Sequence, residues 1–191
     1  MAETATRVLL ADALKTLTSK MPFSKISVTE ICRQCSINRK SFYYHFQDKF
    51  DLVNWIFDTE FAAFCADRVV TGTSGHLLCL LEYFNQNKAF YRKVLLVHGQ
   101  NSFSEYFRQL LHRTLTRRYS SYMKGKALEF YADFFSDAMV CSIVRWIVDR
   151  SSIPPQEFLS RITECITGLA AISFDREDAK TGMHSLSSHV S

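Results

Sequence analysis

The chain has 191 residues, of which 47% are hydrophobic, 22% charged and 14% aromatic, and its formal net charge is +4. No run of about 20 uninterrupted apolar residues is present, so no membrane-spanning helix is expected. The first residues lack the basic-then-apolar order of a signal peptide, which predicts a cytoplasmic protein. With only 6 Gly and 3 Pro, the chain has few turn residues for a many-stranded sheet, so an all-α fold is predicted.

The excess positive charge is concentrated near the N-terminus. Residues 1–50 contain eight Lys and Arg against four acids, whereas residues 51–191 contain 15 of each sign. This asymmetry is expected if the first quarter of the chain faces phosphate.

Hydrophobic periodicity predicts about nine helices. In chain order they cover residues 4–19, 28–34, 39–45, 49–70, 76–86, 87–97, 103–123, 127–150 and 155–174. Ser27 with Glu30 has the order of a capping box, and Asn38 and Asp48 are suitable N-caps for the third and fourth helices. The predicted domains are residues 1–47, residues 48–174 and a disordered tail at residues 175–191, and residues 71–75 form a linker within the second domain.

The second and third helices have the spacing of a helix-turn-helix, two short helices joined by a three-residue turn. The third helix opens with Asn38-Arg-Lys-Ser41, which supplies the small, basic and hydrogen-bonding groups that fit a DNA major groove. Phe42 and Phe46 lie one helical turn apart and are placed to pack this helix on the rest of the domain. The pattern therefore predicts DNA binding.

The run from Ile26 to Lys49 resembles the DNA-binding domain of TetR family transcriptional regulators. Its most specific part, Ser41-Phe-Tyr-Tyr-His-Phe-Gln-Asp-Lys49, is similar to the family signature Thr-Leu-Tyr-x-His/Tyr-Phe-x-Asn/Asp-Lys. The resemblance covers roughly residues 1–60. It implies contacts to operator DNA from Ser27, Thr29, Arg39, Lys40, Ser41, Tyr43, Tyr44, His45 and Lys49. Among these, Arg39, Lys40 and Ser41 would face bases, and Ser27 and Lys49 would bind phosphate, whereas Tyr44 is as readily a core residue.

Two positions depart from the family pattern. Ser36 stands in the turn where family members usually have Gly, which predicts a slightly strained turn. Lys40 stands where many members have Gly, and a long cation at that position would favour guanine. The operator sequence therefore does not follow from the resemblance.

A looser resemblance links the chain to the subgroup that regulates dihydroxyacetone kinase operons. It is carried by Asp51–Phe61, by Phe90-Tyr-Arg-Lys-Val94 and by Arg145-Trp-Ile147. In that subgroup, control can come through a partner protein.

The aromatic-rich middle of the chain has two interpretations. It could line a pocket for an apolar or aromatic effector, or its large side chains could simply pack against one another. The pocket prediction names Phe61, Phe64, Tyr83, Phe84, Tyr106, Phe107 and Phe134.

The helix at residues 127–150 is apolar on nearly all sides, so its own domain is not expected to bury it completely. Together with the last helix it could form a four-helix bundle across the two-fold axis of a homodimer, as in the resembled family. The predicted interface residues are Phe135, Met139, Ile143, Trp146, Ile162, Ile166 and Leu169.

Other candidate sites carry weaker signals. Cys32 and Cys35 form a C-x-x-C without two further zinc ligands nearby, so both are interpreted as core residues. Asp133 and Asp137 share a helix face, but no catalytic motif accompanies them. A basic strip (Arg108, His112, Arg113, Arg117 and Arg118) could be a solvated helix face or a contact for an acidic partner or effector.

The sequence thus predicts a regulator of transcription that is not an enzyme and needs no cofactor or metal. The preferred hypothesis is a homodimeric repressor that is released from double-stranded operator DNA by a small molecule or a protein co-regulator. The alternatives are an activator of the same fold controlled by a partner protein, and an adaptor that no longer binds DNA. No membrane partner is expected.

Overall fold

The computed structural model describes residues 2–66, 68–97, 99, 101–149 and 153–168, and within these ranges all regular structure is helical. The predicted all-α fold is therefore confirmed. No helix in the described ranges has the length and apolar character needed to cross a bilayer. The helices are α1 (Ala2–Lys20), α2 (Val28–Gln34), α3 (Arg39–His45), α4 (Lys49–Ala66), α5 (Gly72–Gln86), α6 (Lys88–Val94), α7 (Phe103–Tyr119), α8 (Gly125–Val148) and α9 (residues 155–168), with a 3₁₀ turn at Phe23–Lys25.

Capping side chains fix the starts of α2, α3 and α4 where the sequence predicts them. The Ser27 hydroxyl accepts from the Glu30 amide at 3.2 Å, and the Glu30 carboxylate accepts from the Ser27 amide at 2.7 Å. Asn38 accepts from the Ser41 amide at 2.7 Å. Asp48 accepts two amide N–H groups of the first turn of α4, at 2.7 and 2.9 Å. Because these caps satisfy otherwise unpaired amides, they define the boundaries of the helix-turn-helix.

Other helix ends differ from the prediction. Helix α4 ends at Ala66, and α5 begins at Gly72, inside the stretch predicted to be a linker. Helix α7 ends at Tyr119, and α8 begins at Gly125. Gly72 and Gly125 have φ values of 65° and 58°, a conformation that glycine adopts without a steric penalty. Each of these glycines therefore marks the start of a helix.

Helices α1, α2 and α3 enclose a small apolar core. Its fully buried members include Leu10, Leu14, Ile31 and Phe42. Phe46, just after α3, is also buried, and its ring lies 5.8 Å from that of Trp55 on α4. The inner side of α3 is thus packed, and its other side is left for solvent or a partner.

The C-terminal part of the same core consists of aromatic rings around Phe57 of α4. Its ring centroid lies between 5.3 and 6.3 Å from those of Phe61, Tyr83, Phe84, Tyr91, Phe103 and Phe107. These side chains come from α4, α5, α6 and α7. Aromatic pairs of this kind contribute about 0.5–1.5 kcal/mol each beyond the area they bury. The cluster therefore holds the middle of α4 firmly against the C-terminal helices.

This ring cluster favours the packing interpretation of the aromatic-rich middle of the chain over the effector-pocket interpretation. Tyr83, Phe84 and Phe107 are at most 2% exposed and contact other rings. The remaining four residues do not complete a cavity with them, because Phe61, Phe64 and Tyr106 are half-buried and Phe134 on α8 is 57% exposed. Three of the seven predicted pocket residues therefore pack inside the core, and the effector pocket stays a prediction.

Candidate DNA-binding surface

Helix α3 presents a basic and aromatic face to solvent. Arg39 and Lys40 are exposed, and Tyr43 and Tyr44 are 50% and 77% exposed. Phe42, between them in sequence, is completely buried. The exposure of Tyr44 removes the alternative that it is a core residue. This face offers the groups needed for base and phosphate contacts on a helix short enough to enter a major groove.

Arg39 is held by the tyrosine one turn further along α3. Its guanidinium donates to the Tyr43 hydroxyl at 3.4 Å and lies 5.8 Å from the centre of that ring. Since a guanidinium that is already oriented loses less freedom on binding, this contact favours a defined approach to a base edge.

Ser41 and His45 are less available than predicted, because both are half-buried. The rings of Tyr44 and His45 lie 5.0 Å apart, and Nδ1 of His45 is a buried nitrogen without a hydrogen-bond partner in the described structure. Their contacts to DNA stay predictions.

At the start of α2, the Ser27 hydroxyl is already engaged. It donates to the Glu30 carboxylate at 2.9 Å while accepting from the Glu30 amide. The hydrogen bonds that the Glu30 carboxylate accepts, first from the Ser27 backbone amide and then from the Ser27 hydroxyl, lower the pKa of Glu30. Thr29, in the first turn of α2, is exposed. Because the Ser27 hydroxyl proton is already donated to Glu30, a phosphate at this helix end would interact with Thr29 and with the positive end of the helix dipole.

Lys49, predicted to bind phosphate, has its ammonium group turned into the protein. Nζ donates to the backbone carbonyls of Ile26, Phe23 and Ser24, at 2.6, 2.9 and 3.3 Å. Burial lowers the pKa of this amine. All three protons of the ammonium group have protein acceptors, so the side chain links α4 to the segment that precedes α2.

Three basic residues that the sequence analysis used only for net charge also belong to the N-terminal domain surface. Lys25 and Arg33 are exposed, beside and within α2. The guanidinium of Arg7 lies 5.9 Å from the ring of Phe46, which places the first turns of α1 beside the end of α3. In the sequence, these three residues are indicated only by the clustering of positive charge in residues 1–50.

Polar contacts connect this domain to the C-terminal helices. Asn101, in the loop before α7, donates to Asp48 at 3.1 Å, and Tyr106 of α7 donates to Asp58 of α4 at 2.6 Å. Between these contacts lies an open polar cleft of about 250 Å³. Lys93 of α6 donates to the carbonyl of Thr18 at 2.5 Å. The start of α4 is thus bonded to the loop before α7, the middle of α4 to α7, and the end of α1 to α6.

The basic strip on α7 is partly neutralised. Arg108 forms two hydrogen bonds to Glu105, at 2.8 and 3.0 Å, and lies 3.8 Å from Asp133 and 3.9 Å from Asp137 on α8. His112 also lies 3.4 Å from Asp133. The two aspartates therefore belong to an ion-pair network between α7 and α8. The rest of the strip is exposed and consists of Arg113, Arg117 and Arg118.

Helix α8 places two residues of the predicted dimer interface inside the subunit. Ile143 and Trp146 are 0% and 4% exposed, and the Trp146 indole donates to the Ile153 carbonyl at 2.8 Å. These two residues pack inside the subunit because α8 turns that side toward the core. Of the other predicted residues, Phe135, Met139 and Ile162 are half-buried, Ile166 is exposed, and Leu169 lies outside the described residues.

A different stripe of α8 faces solvent. It begins with Phe130 and Phe134, 72% and 57% exposed, and continues through Ala138 and Cys141. These residues recur every three to four positions, so they occupy one face of the helix. The sequence pattern could not distinguish this stripe from the buried one because both are apolar.

Comparisons with known proteins agree with this architecture. Residues 10–56 match the family of bacterial regulatory proteins of the tetR type, and residues 73–168 match the transcriptional regulator C-terminal region of the same family. The chain is 28% identical over 154 residues to the HTH-type dhaKLM operon transcriptional activator DhaS of Lactococcus lactis subsp. lactis (strain IL1403), covering 77% of this chain and 81% of the relative.

Two solved structures have a similar fold. A dihydroxyacetone kinase operon activator DhaS superposes with a TM-score of 0.59 at 25% identity, covering 87% of this chain and 97% of the other. A TetR transcriptional regulator from Streptococcus agalactiae 2603V superposes with a TM-score of 0.61 at 19% identity, covering 84% and 92%. The second likeness concerns the fold alone.

Proposed function

Because this chain belongs to the TetR family of bacterial transcriptional regulators, we propose that it is a homodimer that reads a palindromic operator with one α3 in each half-site. The observation that carries the proposal is the outward face of α3, where Arg39, Lys40, Tyr43 and Tyr44 are exposed on a helix anchored by buried Phe42. An operator reader works where the bacterial chromosome lies, in the cytoplasm.

The dimer is proposed to form through the exposed stripe of α8 together with α9. Phe130 and Phe134 present large rings to water, and Ile166 on α9 is 48% exposed. Covering such side chains is favourable by about 25 cal/mol for each Å² of apolar surface removed from water. A second copy of the chain would supply an equivalent surface, as a two-fold interface requires.

Regulation is proposed to act through the start of α4, where two neighbouring residues point to different parts of the molecule. Asp48 accepts from Asn101 in the loop before α7, and Lys49 donates to the carbonyls before α2. A shift of α7 would therefore be transmitted to the helix-turn-helix and would change the separation of the two recognition helices. Since both half-sites must be matched together, such a shift changes operator affinity.

We infer that the chain is an activator controlled by a protein partner, in preference to a repressor released by an apolar molecule. The similar sequence and the similar solved structure that are both called DhaS carry the word activator in their names. The filled aromatic core offers no support for an apolar effector, whereas Arg113, Arg117 and Arg118 are exposed for an acidic partner. If this is correct, small aromatic compounds should not raise the unfolding temperature; saturable stabilisation by one of them would favour the repressor hypothesis.

The function is tested by selecting bound DNA from a random-sequence pool at two salt concentrations. We expect a palindrome whose half-sites are about 10 base pairs apart, or a multiple of that spacing. The double variant Arg39→Ala/Lys40→Ala should lose the motif, and Lys124→Ala, far from α3 in the sequence, should retain it. Weak binding without a motif, strongly reduced by salt, would instead favour the adaptor hypothesis. Expression from a reporter carrying the selected operator distinguishes activation from repression.

A further inference from the structure

Two cysteines that are distant in sequence meet between α4 and α5. The sulfur atoms of Cys65 and Cys79 lie 2.8 Å apart. All six cysteines of the chain are free thiols. The pair is not part of a larger metal-binding group, since the described residues contain no cluster of three or more His, Cys, Asp or Glu side chains suited to a metal ion.

The C-x-x-C pair is arranged differently. Cys32 is buried in the helix-turn-helix core, and the Cys35 thiol is directed at the backbone, 3.2 Å from the Ile31 carbonyl and 3.7 Å from that of Cys32. The spacing that suggests redox chemistry in the sequence therefore belongs to structural thiols. The contact between two sulfurs occurs at Cys65 and Cys79.

The surroundings give the two thiols of this pair different roles. Cys65 is half-buried in the last turn of α4, whereas Cys79 is 3% exposed within α5. Burial raises the pKa of Cys79 to about 12, although the nearby positive charge of Arg68 opposes this shift. Only a thiolate is a good nucleophile. Cys65 is therefore the thiol that an oxidant in solution reaches first, and Cys79 is placed to react with the product.

We propose that Cys65 and Cys79 are a redox modification site that forms a reversible intramolecular disulfide when the protein meets a hydroperoxide such as hydrogen peroxide. The Cys65 thiolate attacks one peroxide oxygen and the O–O bond breaks, giving a sulfenic acid and a hydroxide that takes up a proton to become water. The Cys79 sulfur, already in contact with the Cys65 sulfur, then attacks it as the Cys79 proton passes to the sulfenic oxygen, so no free Cys79 thiolate has to form first. The sulfenic hydroxyl leaves and combines with the proton lost by Cys79 as a second molecule of water.

The bond would join the end of α4 to the middle of α5. The same α4 begins at Lys49, next to the helix-turn-helix, and carries Phe57 at the centre of the aromatic core. A disulfide that closes the loop from Cys65 to Cys79 restricts the conformations of the unfolded chain and so raises the stability of the folded protein. The oxidised protein is therefore expected to unfold at a higher temperature than the reduced protein.

The test uses the full-length protein, reduced and then exposed to a limiting amount of hydrogen peroxide. Remaining thiols are alkylated, and peptides are mapped by mass spectrometry without reduction. We expect a peptide that links Cys65 to Cys79, with the other four cysteines alkylated, and we expect dithiothreitol to remove the link and the added thermal stability. Cys141→Ser, at an exposed position on α8, is the matched control and should still form the link.

Two single variants keep the proposal falsifiable even if one of them folds poorly. In Cys79→Ser, Cys65 should accumulate as a sulfenic acid that a dimedone probe labels; in Cys65→Ser, Cys79 should stay reduced. The proposal is overturned if both thiols of the unmodified chain are recovered alkylated after oxidation. It is also overturned if the recovered link joins Cys32 to Cys35, or if only links between chains through Cys141 or Cys165 are found.

Discussion

The ammonium group of Lys49 donates to the carbonyl of Ile26 at 2.6 Å, so the first residue of α4 is bonded to the residue just before the N-cap of α2. Two further carbonyls, of Phe23 and Ser24, accept from the same nitrogen. The family resemblance assigns Lys49 to phosphate, whereas its geometry here makes it a positioning residue for the helix-turn-helix. The two roles predict different results for one substitution.

We predict that Lys49→Met lowers the free energy of unfolding by about 1–3 kcal/mol, because the charge-assisted hydrogen bonds of the ammonium group to three carbonyls are lost. Operator affinity should fall, but its dependence on salt concentration should not change, since no phosphate contact is removed. The measurement is the slope of log affinity against log salt concentration, made where the variant is fully folded. Lys49→Arg, which retains donors, should recover part of the affinity, and Lys124→Met should alter neither quantity. A slope smaller in magnitude by about 1.8, which is about 0.9 for the Lys49 of each protomer, would indicate that Lys49 binds phosphate.

Arg39 is expected to contribute to sequence preference. Its guanidinium is exposed and oriented by Tyr43, and arginine contacts to base edges contribute about 1–3 kcal/mol of discrimination. Arg39→Ala should therefore weaken specific binding by about 1–3 kcal/mol for each half-site and relax selectivity at one position of each, as measured by competition with single-base variants of the operator.

The control for Arg39 is Tyr43→Phe, which removes the hydroxyl that orients the guanidinium but leaves the cation in place. It should reduce specific affinity less than Arg39→Ala does. If Arg39→Ala weakened binding to all DNA sequences equally, Arg39 would be a phosphate contact. Lys40 or Ser41 would then be the residues that contact base edges.

The starts of α2, α3 and α4 could be predicted from the sequence because short-range interactions set them. Ser27, Asn38 and Asp48 each cap a helix through amides only two or three residues away, so the local order of residues contains the necessary information. The face of α3 was predictable for the same reason, since buried Phe42 fixes which side of a two-turn helix is outward.

What the sequence could not settle depends on tertiary neighbours. Trp146 and Phe134 are both aromatic residues on α8, yet one is 4% and the other 57% exposed. Periodicity does not reveal which apolar stripe meets the subunit's own helices. The contact between Cys65 and Cys79 likewise follows from how α4 packs on α5. The hydrogen bond from Lys49 to the Ile26 carbonyl joins residues more than 20 positions apart in the sequence.

Ser36 carries the strain that its departure from the family pattern predicts. It has a φ of 57°, and in the described part of the chain it is the single residue other than glycine with a positive φ. For residues with a side chain this conformation costs roughly 1–2 kcal/mol. Ser36→Gly should therefore stabilise the protein, by up to about 1 kcal/mol after the entropy that glycine gains in the unfolded chain is subtracted.

Chemical denaturation of the reduced protein measures this change. Ser36→Ala is the matched control, because alanine removes the hydroxyl but keeps the Cβ that causes the strain, and it should not stabilise. Equal stabilisation by glycine and alanine would attribute the effect to the hydroxyl and not to the backbone.

The apolar stripe of α8 gives the sharpest test of the proposed dimer. Phe134 is 57% exposed and separated by one turn from Phe130, with the two rings stacked 6.2 Å apart. Phe134→Glu would place a charge in the proposed interface without removing any fully buried side chain of the subunit. We expect the variant to remain folded by circular dichroism but to sediment as a monomer at concentrations where the unmodified chain is dimeric. Its affinity for a single half-site should equal its affinity for the full palindrome.

Leu96→Glu is the control for this charge, because Leu96 is similarly exposed, at 55%, but follows α6 and lies off the stripe. It should leave both sedimentation and operator binding unchanged. If the Phe134→Glu protein stayed dimeric, the result would contradict an interface on the α8 stripe and would favour one on α9 around exposed Ile166. Since two half-sites bound together supply most of the specificity of such regulators, loss of the dimer should cost more operator affinity than loss of Arg39 alone.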